Sequence, residues 1–133
     1  MKLVLTNDDV LKVLHTSFCD GGLIELRGSS IEMDCLDADY QRAKSSLRDA
    51  GKTNICLEDV WVEMININLP LRFIDYEDDK KEYFLTLKSA KKGFQNRKAA
   101  MDVIKTLDPD GDTDAYTGYN LLQYALFNDV IYG

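Results

Sequence analysis

Apolar residues along this chain recur at two spacings, and the switches between them mark out the elements. In "TNDDVLKVLHTSFCDGG" the side chains of Val10, Leu11, Val13, Leu14 and Phe18 share one face at helical period. Thr6 or Asn7 can accept the free N–H groups of the first turn, Asp8 and Asp9 suit the positive helix end, and Gly21-Gly22 supplies a left-handed stop. "CLEDVWVEMI" repeats the pattern more strongly, with Leu57, Val60, Trp61, Met64 and Ile65 on one face. A narrower stripe of Tyr40, Ala43 and Leu47 predicts an outlying helix in "DADYQRAKSSLRDAG", capped by Asp37 or Asp39 and stopped at Gly51. The spacing of Ala90, Phe94, Met101, Ile104 and Leu107 predicts one long helix over 89–107, and "AYTGYNLLQYALF" predicts a last helix over 115–127.

The other spacing is shorter. "LIELRGSSIEMDCL" suggests two strands, 23–27 and 31–36, around a Gly28-Ser29-Ser30 turn. "LRFIDYEDDKKEYFLTLK" places two β-rich runs on either side of a charged loop, the layout of an antiparallel hairpin. "MKLVL" and the terminal "VIYG" are candidate short strands. The expectation is an α+β fold, a small antiparallel sheet (23–36 and 71–87) packed against three to five helices, with 57–66, 89–107 and 115–127 as its cover. There is no internal repeat and no Gly/Ser/Pro linker, so residues 1–133 are expected to form a single domain.

Composition narrows the function classes. Apolar residues make up 45% and charged residues 29%, a globular balance, and no apolar run approaches the roughly 20 residues of a membrane helix. The N-terminal apolar run is too short for a signal-peptide core, which implies a cytoplasmic protein. Cys19, Cys35 and Cys56 fit neither a disulfide framework nor a C-x-x-C metal pattern, and reduced, mostly buried thiols are expected. With 23 acidic against 16 basic residues the net charge is −7, which disfavours nonspecific nucleic-acid binding and suits a basic protein partner.

Candidate chemistry is sparse. Asp108, Asp110 and Asp112 in "DPDGDTDAYTGYN" occupy positions 1, 3 and 5 of an EF-hand count, and "DPDGD" resembles the opening of a dockerin calcium loop. The required glycine, however, sits two places early at Gly111, and Tyr119 stands where the twelfth-position carboxylate belongs. The same residues make a turn and a helix cap from Asp112, Thr113 or Asp114. His15 and Cys19, four apart on the first helix, share a face as a nucleophile pair or two ligands would, but no third ligand is near in sequence. The pairs Glu58/Asp59 and Asp75/Glu77 carry no weight among 23 acids. Lys88, Lys91, Lys92, Arg97 and Lys98 form a basic patch around Phe94 that suits a phosphate or an acidic partner. Tyr116, Tyr119 and Tyr124 straddle two faces of the last helix, so at least one should reach the surface, where tyrosine favours interfaces and self-association. No phosphate-loop, dinucleotide, hydrolase or zinc-protease motif is present, so neither an enzyme nor a cofactor is expected.

The ending "LLQYALFNDVIYG" resembles that of a family of small uncharacterised proteins encoded by phages and prophages of gut-associated bacteria, in which a "QYALFGE"-like run closes in "VFG" or "VYG". The succession "TNDDVLKVLHTSFCDGG", "LEDVWVEMI", "LRFIDYEDD" and "YFLTLKSAKKGF" is similar too, whereas 31–53 departs from it and Asn128 replaces a glycine. The resemblance implies a setting, an accessory protein in a bacterial host cytoplasm, and no catalytic residues. It points to a non-enzymatic binder that inhibits a host or anti-phage defence protein. The alternatives are an oligomeric sponge for a phosphate-bearing nucleotide at the basic patch and, more remotely, a metal-dependent enzyme using the 108–114 loop.

Overall fold

The computed structural model describes residues 3–133. Its described residues form seven α-helices and a three-stranded antiparallel sheet, the expected α+β class. The chain runs α1 (Asn7–Cys19), α2 (Gly22–Gly28), β1 (Ile31–Asp34), α3 (Asp37–Asp49), α4 (Leu57–Asn66), β2 (Leu71–Asp75), β3 (Lys81–Leu85), α5 (Leu87–Phe94), a 3₁₀ turn (Arg97–Ala99), α6 (Ala100–Leu107) and α7 (Ala115–Phe127).

The sheet is a meander with β2 in the middle. Ile31 pairs with Asp75 and Met33 with Phe73, while Leu71 pairs with Leu85 and Phe73 with Tyr83. These residues share the inner face, as the period of two requires. On the outer face Arg72 donates to Asp34 on one neighbouring strand and, at 2.7 Å, to Glu82 on the other. The charged loop between β2 and β3 turns through Asp79 and Lys80, both with positive φ.

Local chemistry explains most helix ends. Thr6 caps α1 in a reciprocal box with Asp9, at 3.1 and 3.0 Å, and Thr86 and Ser89 do the same for α5. Asp114 caps α7 through the Thr117 N–H at 2.9 Å. Gly51, at φ +88°, ends α3 as expected. The expected cap of α3 needs correction, because Leu36 holds the N-cap position without a side-chain bond, and Asp37 and Asp39 lie inside the first turn.

Four other expectations are overturned. Residues 23–27 form α2 rather than a strand: Leu26 is buried and Leu23 half-buried on a helix that packs on α7, while Ile24 faces out. The helix over 89–107 is two helices, because Asn96 leaves helical geometry. The Asn96 side chain accepts from the Lys98 N–H at 3.0 Å and donates to Asn128, capping the 3₁₀ turn. That break re-aims α6, so Val103 is its buried residue and Met101 and Ile104 face solvent at 83% and 55% exposure. The terminal "VIYG" is not a strand, and Leu3–Leu5 lie outside the sheet; the first two residues of "MKLVL" fall outside the described residues.

The core is one cluster, and α7 runs through it. Thr117, Gly118, Tyr119 and every residue from Leu121 to Ala125 are buried. Glycines permit this. A Cβ on Gly93 of α5 would meet the Tyr124 carbonyl oxygen at 1.9 Å, and one on Gly118 would meet the Ser17 carbonyl oxygen at 2.8 Å. The tail after α7 is held by buried Gln123: its Oε1 accepts from the Ile131 and Tyr132 N–H groups at 3.0 and 2.9 Å, and its Nε2 donates to the Tyr132 carbonyl at 3.0 Å. The Tyr132 hydroxyl in turn donates to Asp75, fully buried at the end of β2, at 2.6 Å.

Candidate functional site

The main cleft lies between α1, the end of α3, α4 and the end of α6, with a volume of about 510 Å³, within the usual range for small-ligand pockets. Helical spacing builds it: Leu11 and His15 of α1 and Asp59, Val62 and Glu63 of α4 turn toward the same space. Leu11 and Val62 make it partly apolar, and Lys12, Lys52, Asp59 and Glu63 supply charge of both signs.

One end of the cleft is chemically dense. His15 Nε2 donates to Asp59 Oδ1 at 2.9 Å, the other Asp59 oxygen accepts from the Cys56 N–H at 3.1 Å, and Lys52 Nζ stands 3.5 Å from Asp59. Burial pushes the Asp59 carboxyl up, but hydrogen bonds from the Cys56 backbone and side chain, His15 and the Lys52 charge outweigh it and hold it at about 2. Cys19 Sγ lies 3.7 Å from His15 Nδ1, continuing the line. Cys19–His15–Asp59 therefore has the order of a nucleophile, a base and an orienting carboxylate. Its electrostatics point the other way. Partial burial, then the negative surroundings of Glu58, Cys56, Asp59 and Asp20, raise the Cys19 thiol, whereas a nucleophilic cysteine needs its thiolate favoured.

The His15–Cys19 spacing was visible in the sequence, but its partners were not. Cys56 and Asp59 arrive from a helix some forty residues away because α1 and α4 pack together, with Phe18 edge-on to Trp61 at 5.8 Å. Cys19 and Cys56 are exposed and Cys35 is half-buried, all three free, contrary to the expected buried thiols. Asp59, set aside as one acid among many, turns out to be the most connected carboxylate of the cleft.

The other candidates lie elsewhere. Lys88, Lys92, Arg97 and Lys98 are exposed and Lys91 is half-buried; none lines the main cleft or the two smaller ones. Lys98 pairs with Asp129 at 3.7 Å. Tyr116 is 54% exposed, whereas Tyr119 is 2% exposed and its hydroxyl bonds Ser29 at 2.6 Å, so only Tyr116 of this pair offers a ring to solvent. In the aspartate loop, Asp108 accepts from the Asp110 N–H at 3.0 Å and Asp114 caps α7, while Asp110 and Asp112 are exposed. Gly111 is explained by packing, since a Cβ there would meet the Lys105 carbonyl oxygen at 1.9 Å. Among the described residues, Asp108, Asp110 and Asp112 are not gathered around a common point; the one group of three or more ligand atoms brought together is His15, Cys56 and Asp59. Asp75, paired in sequence with Glu77, serves the fold by receiving Tyr132 and the Glu77 N–H.

Comparison with known proteins finds no match: no family model, no curated protein and no solved structure. No helix among the described residues is long and apolar enough to cross a membrane.

Proposed function

We propose that this chain is a non-enzymatic accessory binding protein of the phage type, acting by direct contact on a bacterial host or anti-phage defence protein. The observation that carries the reading is the pair Met101 and Ile104, three residues apart on α6 and 83% and 55% exposed. Adjacent large apolar side chains left in water favour a partner that covers them. The chain leaves α6 through Asp108, Asp110 and Asp112, all exposed, and the net charge is −7. An apolar pocket rimmed by Lys or Arg is the complementary surface.

The test places a photo-crosslinking residue at position 104 in bacteria carrying the defence systems under study. The captured protein is then purified and its affinity measured against the wild-type chain and Met101→Glu/Ile104→Glu. Both positions are exposed, so the variant folds, and its affinity drops about tenfold or more, roughly 1.4 kcal/mol per factor of ten. Phage plating protected by the wild-type chain is no longer protected by the variant. Equal affinity of the two chains, or equal protection, would refute the reading.

A further inference from the structure

Two short ligand pairs meet at the end of the main cleft. His15 and Cys19 stand on the last two turns of α1, while Cys56 and Asp59 stand at the N-cap and first turn of α4. A ring nitrogen of His15, the Cys56 sulfur and a carboxylate oxygen of Asp59 all lie within 4.8 Å of one another. Cys19 Sγ is 3.7 and 3.9 Å from the two ring nitrogens of the same histidine. Zinc bonds of about 2.0–2.3 Å set tetrahedral neighbours about 3.3–3.8 Å apart. The His15–Asp59 distance of 2.9 Å is a little short of that range and the Cys19–His15 distances bracket its upper end; Cys19 stands outside the group of three and reaches it by turning its exposed side chain.

The surroundings favour a cation. Glu58 and Asp20 lie near Cys19 in addition to the Asp59 carboxylate, and among the described residues Lys52 is the one lysine or arginine paired with Asp59. Lys52 is 46% exposed and can swing into solvent, leaving Asp59 Oδ1 to another positive charge. The donor types select the cation. Two thiols and an imidazole are soft to borderline ligands that suit zinc, whereas magnesium and calcium take oxygen.

We infer that His15, Cys56 and Asp59, with Cys19 at the fourth corner, form a binding site for a zinc-class divalent cation. On binding, the two thiols become thiolates and their protons pass to solvent. Four protein ligands close the coordination sphere, so the ion acts as a clasp between the end of α1 and the start of α4. The inference does not depend on the protein-contact reading, whose residues are on the outer side of α6.

The test uses the full chain, stripped of metal with a chelator and kept reduced, and titrated with cobalt(II) followed by zinc(II). One cobalt per chain is expected, with thiolate-to-cobalt charge transfer and the intense visible bands of tetrahedral cobalt, both removed by zinc. Cys56→Ser and Cys19→Ser each weaken zinc binding, by about tenfold or more, and the double variant shows no charge-transfer band. Both cysteines are exposed, so serine leaves the fold intact, which circular dichroism verifies. A wild-type chain without thiolate charge transfer, or a double variant that binds zinc as tightly as wild type, would overturn the inference.

Discussion

Replacing Gln123 by leucine preserves volume but strips the tail of three hydrogen bonds, those of the Ile131 and Tyr132 N–H groups and the Tyr132 carbonyl. Each is a backbone group that needs a partner, and orphaning such groups costs about 1–3 kcal/mol apiece when they are buried. Because the tail is only partly covered, we expect Gln123→Leu to lose about 2–3 kcal/mol in total. Urea unfolding followed through Trp61, the single tryptophan, measures this, and an unchanged midpoint would show that the tail contributes nothing. The neighbouring Tyr132 hydroxyl is held well above its ordinary pKa, first by donating to Asp75 and then by burial. A raised phenol keeps its stabilising bond at all pH values below about 10 and loses it only as pH climbs through the folded value. None of this was legible residue by residue. "LLQYALFNDVIYG" stood out in the sequence as a signature, but a glutamine in an apolar helix does not announce that it will serve as backbone partner to the chain eight and nine residues on.

Elements were legible where one period ran uninterrupted. α1, α4, β2 and β3 follow their spacing, and the Thr6, Asp114 and Gly51 signals lie where the ends are. The expectation failed where tertiary contact decided. "LIELR" satisfies both periods, and packing against α7 chose the helix; "GFQN" interrupts a helical stripe through a contact with Asn128, which is distant in sequence. Two variants test how tightly helices are seated. Gly93→Ala should destabilise by about 3 kcal/mol, because its methyl group meets the backbone of α7 and the helices must part. Gly28→Ala has open space around it and replaces glycine at the end of a helix, so it should be neutral or stabilise by about 0.4–1 kcal/mol. Thermal unfolding of both variants beside wild type decides. The caps add a dependence on acid. Asp9 and Asp114 are held below the usual carboxylate range, chiefly by the backbone N–H of Thr6 and of Thr117 respectively. Their help is therefore complete above about pH 4 and is lost as pH falls through the depressed folded values. Asp114→Asn, which can still cap, should flatten the acid limb of the stability curve, and an acid limb identical to wild type would refute the assignment.

At the scale of the molecule, the α+β class could be anticipated because four strong periodic segments were enough to define it. The arrangement around the cleft could not. Half of the dense cluster was already in view as His15 and Cys19, and the other half depended on α4 docking against α1, which no local spacing encodes. The exposed α6 face was hidden for a related reason: a continuous helix from 89 to 107 would have turned Met101 and Ile104 inward, and the break at Asn96 turned them out. Charge, by contrast, is a global property and transfers directly. A chain of net charge −7 should meet a basic partner faster at low ionic strength, so association rates in the proposed binding experiment should fall as salt rises while dissociation changes less.

The seating of α7 also governs how this protein can drift. Exposed side chains such as Lys88 and Lys92, and the solvent face of α3, can be rewritten with little penalty, since they reach into water. At Gly22, Gly93, Gly111 and Gly118 any side chain collides with main-chain atoms of another segment, and at Gln123 only an amide both accepts from and donates to the tail. Lineages that keep this architecture should therefore diverge almost everywhere else first. Their kinship would be recognised by four glycines and one glutamine at matching places long after overall likeness had faded.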